Sequence, residues 1–96
     1  MTEKNDWTIK EAIKALLDQY KLDGKLKEFS LINSWEKIMG KMIAKHTTKL
    51  FIKNRKLYLG IDSPALKLEL MLSRNKIMEI LNREAGEVFI EEVIFI

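Results

Sequence analysis

The sequence predicts one α/β domain of the α+β type, with the element order α-α-β-β-α(α)-β and a three-stranded sheet. Apolar residues recur at helical spacing in the first part of the chain and again after residue 63. Between these segments, two short runs rich in β-branched, aromatic and aliphatic residues predict strands. A chain of 96 residues suits one core. Because three strands are not stable alone in water, we expect helices to cover one face of the sheet.

The predicted domain occupies residues 8–96, and the polar segment 1–7 is expected to be frayed. This start lacks the apolar run of a signal peptide. No stretch of the sequence approaches the ~18 consecutive apolar residues of a membrane span. The expectation is therefore a cytoplasmic protein without a membrane partner.

The first predicted helix covers residues 8–21. Thr8 and Glu11 have the spacing of a capping box, in which each side chain satisfies a backbone amide at the helix start. Trp7 stands just outside as a hydrophobic staple. Apolar residues follow at helical spacing: Ile9, Ala12, Ile13, Leu16, Leu17 and Tyr20. Asp23-Gly24 supplies a stop signal.

A second helix is predicted from about Lys25 to about Lys45. Its apolar residues share one face: Leu31, Ile32, Trp35, Ile38, Met39, Met42 and Ile43. Asn33-Ser34 and Gly40 are weak helix formers, so a break at either place is an open alternative to one continuous helix.

A β-hairpin follows this helix. Residues 47–53 are rich in β-branched residues and include a phenylalanine, and residues 56–61 alternate leucine or isoleucine with other residues. Only Asn54-Arg55 separates the two segments, which is the length of a tight hairpin turn.

The next helix is predicted to begin with Ser63 as N-cap and Pro64 at the first helical position. Its first two turns are apolar nearly all round, which indicates either burial on two sides or a break near Ser73 into two helices. Gly86 is the predicted end of this region.

Residues 88–96 are predicted to form the third strand, interrupted by a bulge at Glu91-Glu92. Its apolar end, Val93 to Ile96, is a candidate sheet edge. Such an edge can recruit a partner, or a second copy of the chain, by strand addition.

Charge is distributed unevenly along the chain. The formal net charge is only +3. However, the segment from Lys37 to Ile61 contains no acid, whereas the segment from Glu84 to Ile96 contains no lysine or arginine. The basic middle is therefore the part to which an anionic partner would be drawn.

The sequence offers little from which to build a catalytic site. It has one histidine, no cysteine and no nucleotide-binding glycine loop. We expect a non-enzyme without metal or cofactor. His46 has three interpretations: a polar residue at the C-terminus of a helix, which is favoured, a direct phosphate contact, or a metal ligand.

The basic middle predicts nucleic-acid binding, because a row of cations gains affinity by releasing the counterions of a polyanion. The competing interpretation is a solvated lysine face that glutamates from elsewhere in the chain neutralise. The candidate nucleic-acid-binding residues are Lys37, Lys41, Lys45, His46, Lys49, Lys53, Arg55 and Lys56. Lys37, Lys41 and Lys45 would lie one turn apart on a continuous helix.

The aromatic residues Trp35, Phe51 and Tyr58 lie within the predicted second helix and the hairpin. Trp35 falls in the apolar stripe of the second helix and is expected in the core. Phe51 and Tyr58 lie on the hairpin, where packing is favoured over a base-stacking role.

Three blocks carry a resemblance to a known family. They are WEKIMGKMIAKHT at residues 35–47, LYLGIDSPALKLEL at residues 57–70, and Leu81-Asn82 with Gly86, Val88 and Ile94. Together they resemble the DciA-like family of bacteria over about residues 8–96. The resemblance implies a KH-like domain that serves the replicative helicase DnaB and binds DNA. No GXXG loop occurs in this chain, so the backbone clamp of many KH domains is not expected.

We therefore expect a non-catalytic nucleic-acid-binding module that assists DNA replication, with single-stranded DNA, duplex DNA or RNA as the bound polymer. The alternative is a protein-interaction module, either a homodimer or a strand-addition adaptor, that binds no nucleic acid. Clustered acids or histidines that would support a hydrolase are missing from the sequence.

Overall fold

The computed structural model describes residues 8–20 and 23–96. The segment 1–7, predicted to be frayed, and its staple residue Trp7 lie outside the described residues. The elements are α1 (Ile9–Tyr20), α2 (Asp23–Asn33), α3 (Trp35–Met39), α4 (Lys41–Lys45), β1 (Thr47–Lys53), β2 (Lys56–Ile61), α5 (Pro64–Leu72), α6 (Arg74–Ala85) and β3 (Glu92–Phe95). This mixture of helices and one sheet confirms the predicted α+β class.

The sheet has the strand order β1-β2-β3. β1 and β2 pair antiparallel as the predicted hairpin, and β3 pairs parallel to β2 on the other side. α5 and α6 make the connection between the two parallel strands. Both β1 and β3 are consequently edge strands.

The capping box at the start of α1 is confirmed. The Thr8 amide donates to Glu11 Oε1 at 2.9 Å, and the Glu11 amide donates to Thr8 Oγ1 at 3.0 Å. The hydrogen bonds from Thr8 lower the pKa of the Glu11 carboxyl below its ordinary value. The helix is nevertheless not part of the described core, since Ile9, Ile13 and Leu16 are all exposed.

The predicted second helix is divided into α2, α3 and α4, with breaks at the two weak positions. Ser34 separates α2 from α3, and Gly40 separates α3 from α4 with a φ of +94°. Such a φ is readily available only to glycine. Trp35, which is buried as predicted, donates its indole N–H to Thr47 Oγ1 at 3.0 Å. This bond fixes α3 against the start of β1.

The hairpin turn has the backbone of a type I′ turn, with φ of +52° at Asn54 and +65° at Arg55. At the other end of the hairpin the register shifts between Thr47 and Lys49, so Thr48 is an extra residue in β1. This bulge lies against Gly60, where an added Cβ would come within 2.9 Å of Thr48 Oγ1.

The cap and break predictions for the next helical region are confirmed. Ser63 Oγ accepts from the Leu66 amide at 3.4 Å, and Pro64 is the first residue of α5. Ser73 separates α5 from α6, and Gly86 ends α6 in the left-handed conformation. None of the helices in the described ranges is long and apolar enough to cross a bilayer.

The prediction for the last strand is wrong in its start and in its bulge. β3 begins only at Glu92, and its register with β2 continues regularly from that residue. Residues before it are held by the side chain of Asn82 instead. Asn82 Oδ1 accepts from the amides of Phe89 and Ile90 at 3.0 and 2.7 Å, and Asn82 Nδ2 donates to the Ile90 carbonyl at 3.1 Å. Backbone groups that bond to this side chain are not available to a strand.

The core lies between the inner face of the sheet and helices α2, α3, α5 and α6. Its buried members are Leu31, Trp35, Ile52, Leu57, Leu59, Ile61, Leu70, Ile77, Leu81, Phe89, Ile90 and Val93. Along β1 and β2 the residues between these core positions point to the opposite face. That outer face carries Phe51, which is 43% exposed.

Candidate nucleic-acid interface

The basic middle of the chain is spread over two short helices and one edge strand. Lys37 lies on α3, Lys41 and Lys45 lie on α4, and Lys49 and Lys53 lie on β1. All these lysines are exposed. None is within ion-pair distance of an acid in the described part of the chain. We call these residues the free lysine group: Lys37, Lys41, Lys45, Lys49 and Lys53.

The break at Gly40 changes the spacing within this group. On a continuous helix Lys37, Lys41 and Lys45 would follow one another at one-turn intervals. Here Lys37 precedes the break, and only Lys41 and Lys45 share a helix. The three lysines therefore do not lie on one continuous helix, although all three are exposed.

Arg55 is a predicted phosphate contact, but its guanidinium already binds other groups of the chain. Its Nε donates to the Phe89 carbonyl at 3.0 Å, and its Nη2 donates to the Val88 carbonyl. Nε also lies 3.5 Å from Glu91 Oε2. The guanidinium stands over the Phe89 ring, 5.8 Å from its centre. These contacts tie the hairpin turn to the segment that leads into β3.

Other acids of the closing segment also pair with specific cations. Glu92 Oε1 is 3.7 Å from Lys56 Nζ, and Glu87 Oε2 is 3.0 Å from Lys27 Nζ. All four side chains are partly exposed, so these pairs contribute little to stability. They nevertheless place an acid beside Lys27, Arg55 and Lys56, whereas no acid in the described ranges lies beside the free lysine group.

His46 is the C-cap residue of α4, in agreement with the favoured interpretation. Its Nδ1 donates to Asp62 Oδ1 at 2.8 Å, and the Asp62 amide donates to the His46 carbonyl at 3.0 Å. Sequence analysis missed this partner, because Asp62 becomes a neighbour only when β2 returns alongside β1. Within the described ranges no cluster of three or more possible metal ligands occurs.

The groove next to His46 has a volume of about 270 Å³ and is also lined by Ser63 and Glu69. A serine, a histidine and an acid thus lie near one another. However, Ser63 Oγ accepts the cap hydrogen bond from Leu66. Among the described residues, no hydrogen bond joins Ser63 to His46, and the arrangement does not form a nucleophile–base pair.

The outer face of the sheet joins basic and aromatic residues in cross-strand rows. Lys53 is opposite Lys56, which is in turn beside Glu92. In the next row Phe51 is opposite Tyr58, which is beside Ile94. Lys49 follows opposite Gly60. This surface brings part of the free lysine group together with two aromatic rings.

Taken together, the fold and this surface define a small α+β domain with a cationic, partly aromatic exposed face. Comparison with protein families matches residues 8–95 to the family described as "Dna[CI] antecedent, DciA". The chain belongs to this family, which confirms the resemblance in its sequence.

A curated relative is the "UPF0232 protein" of Corynebacterium glutamicum (strain R), which is 31% identical over 61 residues. The aligned region covers 64% of this chain and 34% of that relative. The chain thus matches about a third of the relative's length. No solved structure gives a significant match.

Proposed function

We propose that the protein is a non-catalytic nucleic-acid-binding module and that the free lysine group is its main contact surface. The supporting observation is the selective pairing of charges. Glu87, Glu91 and Glu92 pair with cations outside this group, whereas the group itself has no acidic partner in the described part of the chain. The competing interpretation, a lysine face neutralised by glutamates, accounts for Lys56 and Arg55 but not for these five lysines.

Binding through such a surface is directed to the phosphate backbone. A lysine ammonium is a compact point charge, whereas base recognition usually relies on the planar fork of arginine or on amide side chains. Arg55, which follows β1 in the hairpin turn, already donates to the carbonyls of Val88 and Phe89. Sequence specificity is therefore expected to be weak.

Membership of the DciA family supports the further proposal that this activity serves DNA replication, with the protein acting as a DnaB accessory that brings the helicase and its DNA together. DnaB is the proposed protein partner and DNA the proposed polymer, with RNA as an outcome that the binding test decides. His46 remains in the proposed set of contact residues, but with a minor role. Its ring is only partly exposed and is already bonded to Asp62.

The salt dependence of binding tests the proposal. If about four of the lysines contact phosphates, the slope of log K against log salt should be roughly −3 to −4. Fluorescence anisotropy with labelled single-stranded and duplex oligonucleotides measures this slope. A slope near zero, or no binding to any oligonucleotide at low salt, contradicts the proposal.

A triple charge reversal of Lys37, Lys41 and Lys45 to glutamate locates the surface. Each lost phosphate contact removes about one released counterion, so at about 0.1 M salt affinity should fall at least a hundredfold. Circular dichroism should show an unchanged fold, since all three side chains are exposed.

The matched control for that variant is the reversal of Lys10, Lys14 and Lys76, which carries the same change in net charge on α1 and α6. It should lower affinity by far less. Equal losses in the two variants would show that only total charge matters and would contradict a defined surface.

Strand addition remains the second candidate function, because β3 lies at an edge of the sheet as expected. Its outer side leaves backbone groups available to another strand. Light scattering in low and high salt without nucleic acid tests this candidate. A stable dimer that fails to shift oligonucleotides would favour it over nucleic-acid binding.

A further inference from the structure

The outer face of the sheet contains two aromatic rings in parallel contact. Phe51 and Tyr58 are register partners in the hairpin, and their ring centres are 4.8 Å apart with 7° between the planes. A cross-strand aromatic pair of this kind stabilises a hairpin. Hairpin stability alone would explain the pair if the hairpin covered both faces of both rings.

The hairpin covers only one face of the Phe51 ring. Among the described residues β1 is an edge strand, so Phe51 has Tyr58 on one side and no further strand on the other. The residue remains 43% exposed although the sheet offers it an aromatic partner. The face of the Phe51 ring that points away from Tyr58 is therefore open to solvent, and another planar ring could stack on it.

Cations flank this open ring on its own strand. Lys49 and Lys53 lie two residues before and two residues after Phe51, and therefore on the same face of the sheet. Their backbone positions are separated by about 13 Å, at 3.3 Å per residue. Both belong to the free lysine group, so neither has an acidic partner in the described ranges.

We propose that the Phe51–Tyr58 pair is a stacking platform for unpaired bases, with Lys49 and Lys53 binding the phosphates on either side. A base continues the stack outward from Phe51 along the edge of β1. The preferred polymer is then a single strand, because a duplex keeps the faces of its bases inside. This proposal rests on the proposed nucleic-acid binding and specifies its ligand as single-stranded nucleic acid.

The platform also explains why the two lysines accompany an exposed phenylalanine. Stacking tolerates every base, and lysine contacts to phosphate are equally independent of sequence. The result is a site that grips a single strand without selecting its sequence, as expected of an accessory that acts wherever a helicase is needed.

A change that removes only the ring tests the platform. Phe51→Leu keeps an apolar side chain but no π face, and loss of one stacked base should weaken binding of an oligo(dT) strand about 5- to 150-fold. Phe51→Tyr keeps the ring and should bind as the unchanged protein does. Phe29→Leu is the matched control, because Phe29 is also exposed to solvent (63%) but lies on α2 rather than on the sheet.

An abasic strand of the same length separates this proposal from the broader one. It keeps the phosphates and removes the bases, so it should bind more weakly than oligo(dT) and should not respond to Phe51→Leu. If the abasic strand binds as tightly as oligo(dT), or if Phe51→Leu has no effect, the platform is refuted while phosphate binding stands. If no strand binds at all, both proposals fail. A thermal melt of Phe51→Leu confirms that the variant used is folded.

Discussion

The two faces of the sheet are made from alternate residues of the same strands, yet they reach opposite environments. On the inner face, Ile52, Leu57 and Leu59 are at most 8% exposed and belong to the core. On the outer face, the intervening residues are lysines and aromatic rings, and Phe51 is 43% exposed. Since side chains alternate along a strand, a hairpin can serve as core and as binding surface without any additional element. The comparison predicts that substitutions on the inner face alter mainly stability, and that substitutions of exposed side chains on the outer face alter mainly the affinity for nucleic acid.

The largest expected effect is on the inner face. Leu59 is completely buried, so Leu59→Ala removes its core contacts and leaves a cavity. The free energy of unfolding should fall by about 2–5 kcal/mol. Urea denaturation followed by circular dichroism measures the change. The outer-face control Lys49→Ala should stay within about 0.5 kcal/mol of the unchanged protein. Similar losses in both variants would contradict the separation of the two faces.

An intermediate effect is expected where the outer face is closely packed. In Gly60→Ala the new Cβ would lie 2.9 Å from Thr48 Oγ1 and 3.2 Å from Lys49 Cβ. Such overpacking costs about 1–3 kcal/mol of unfolding free energy. Combining it with Thr48→Ala removes the closest contact and should recover part of the loss in a urea titration.

Gly24→Ala is the control for this variant, because nothing lies within 4 Å of the added Cβ and the site is helical. It should be neutral or raise stability by about 0.5–1 kcal/mol. If Gly60→Ala left the unfolding free energy as little changed as Gly24→Ala, the close contact between residue 60 and the bulge at Thr48 would be contradicted.

The smallest expected effect has opposite signs for stability and affinity. Lys53 is opposite Lys56, and like charges directly across a hairpin are destabilising. Lys53→Glu should therefore raise the free energy of unfolding by about 0.2–1 kcal/mol. The same change should weaken oligonucleotide binding and make the salt slope shallower by roughly one unit or more.

For Lys53→Glu, the unfolding free energy and the oligonucleotide affinity are interpreted together. Higher stability with lower affinity would show that the two facing lysines are kept for binding at a small cost in stability. Unchanged affinity would remove Lys53 from the proposed contact surface, whatever happens to stability.

Local sequence signals were sufficient for the starts of α1 and α5 and the end of α6, but not for the start of α2, where the predicted stop Asp23-Gly24 instead forms the first two helical residues. The capping box of Thr8 and Glu11, the N-cap Ser63 before Pro64, and Gly86 after α6 each act within a few residues of the chain. Such signals can be read without tertiary information. The predicted start of β3 failed for the complementary reason. The side chain of Asn82, on α6, accepts from the backbone amides of Phe89 and Ile90 seven and eight residues later, and no local signal in the sequence marks this contact.

The sequence by itself determined the content of the site: a basic middle without acids, an acidic closing segment and two aromatic residues on a hairpin. Which cations stay unpaired was decided only by tertiary structure. Parallel pairing of β3 with β2 brings Glu91 and Glu92 to Arg55 and Lys56, which removes these two cations from the surface charge. Ion pairs and register depend on residues far apart in the chain, and only the folded sheet brings them together.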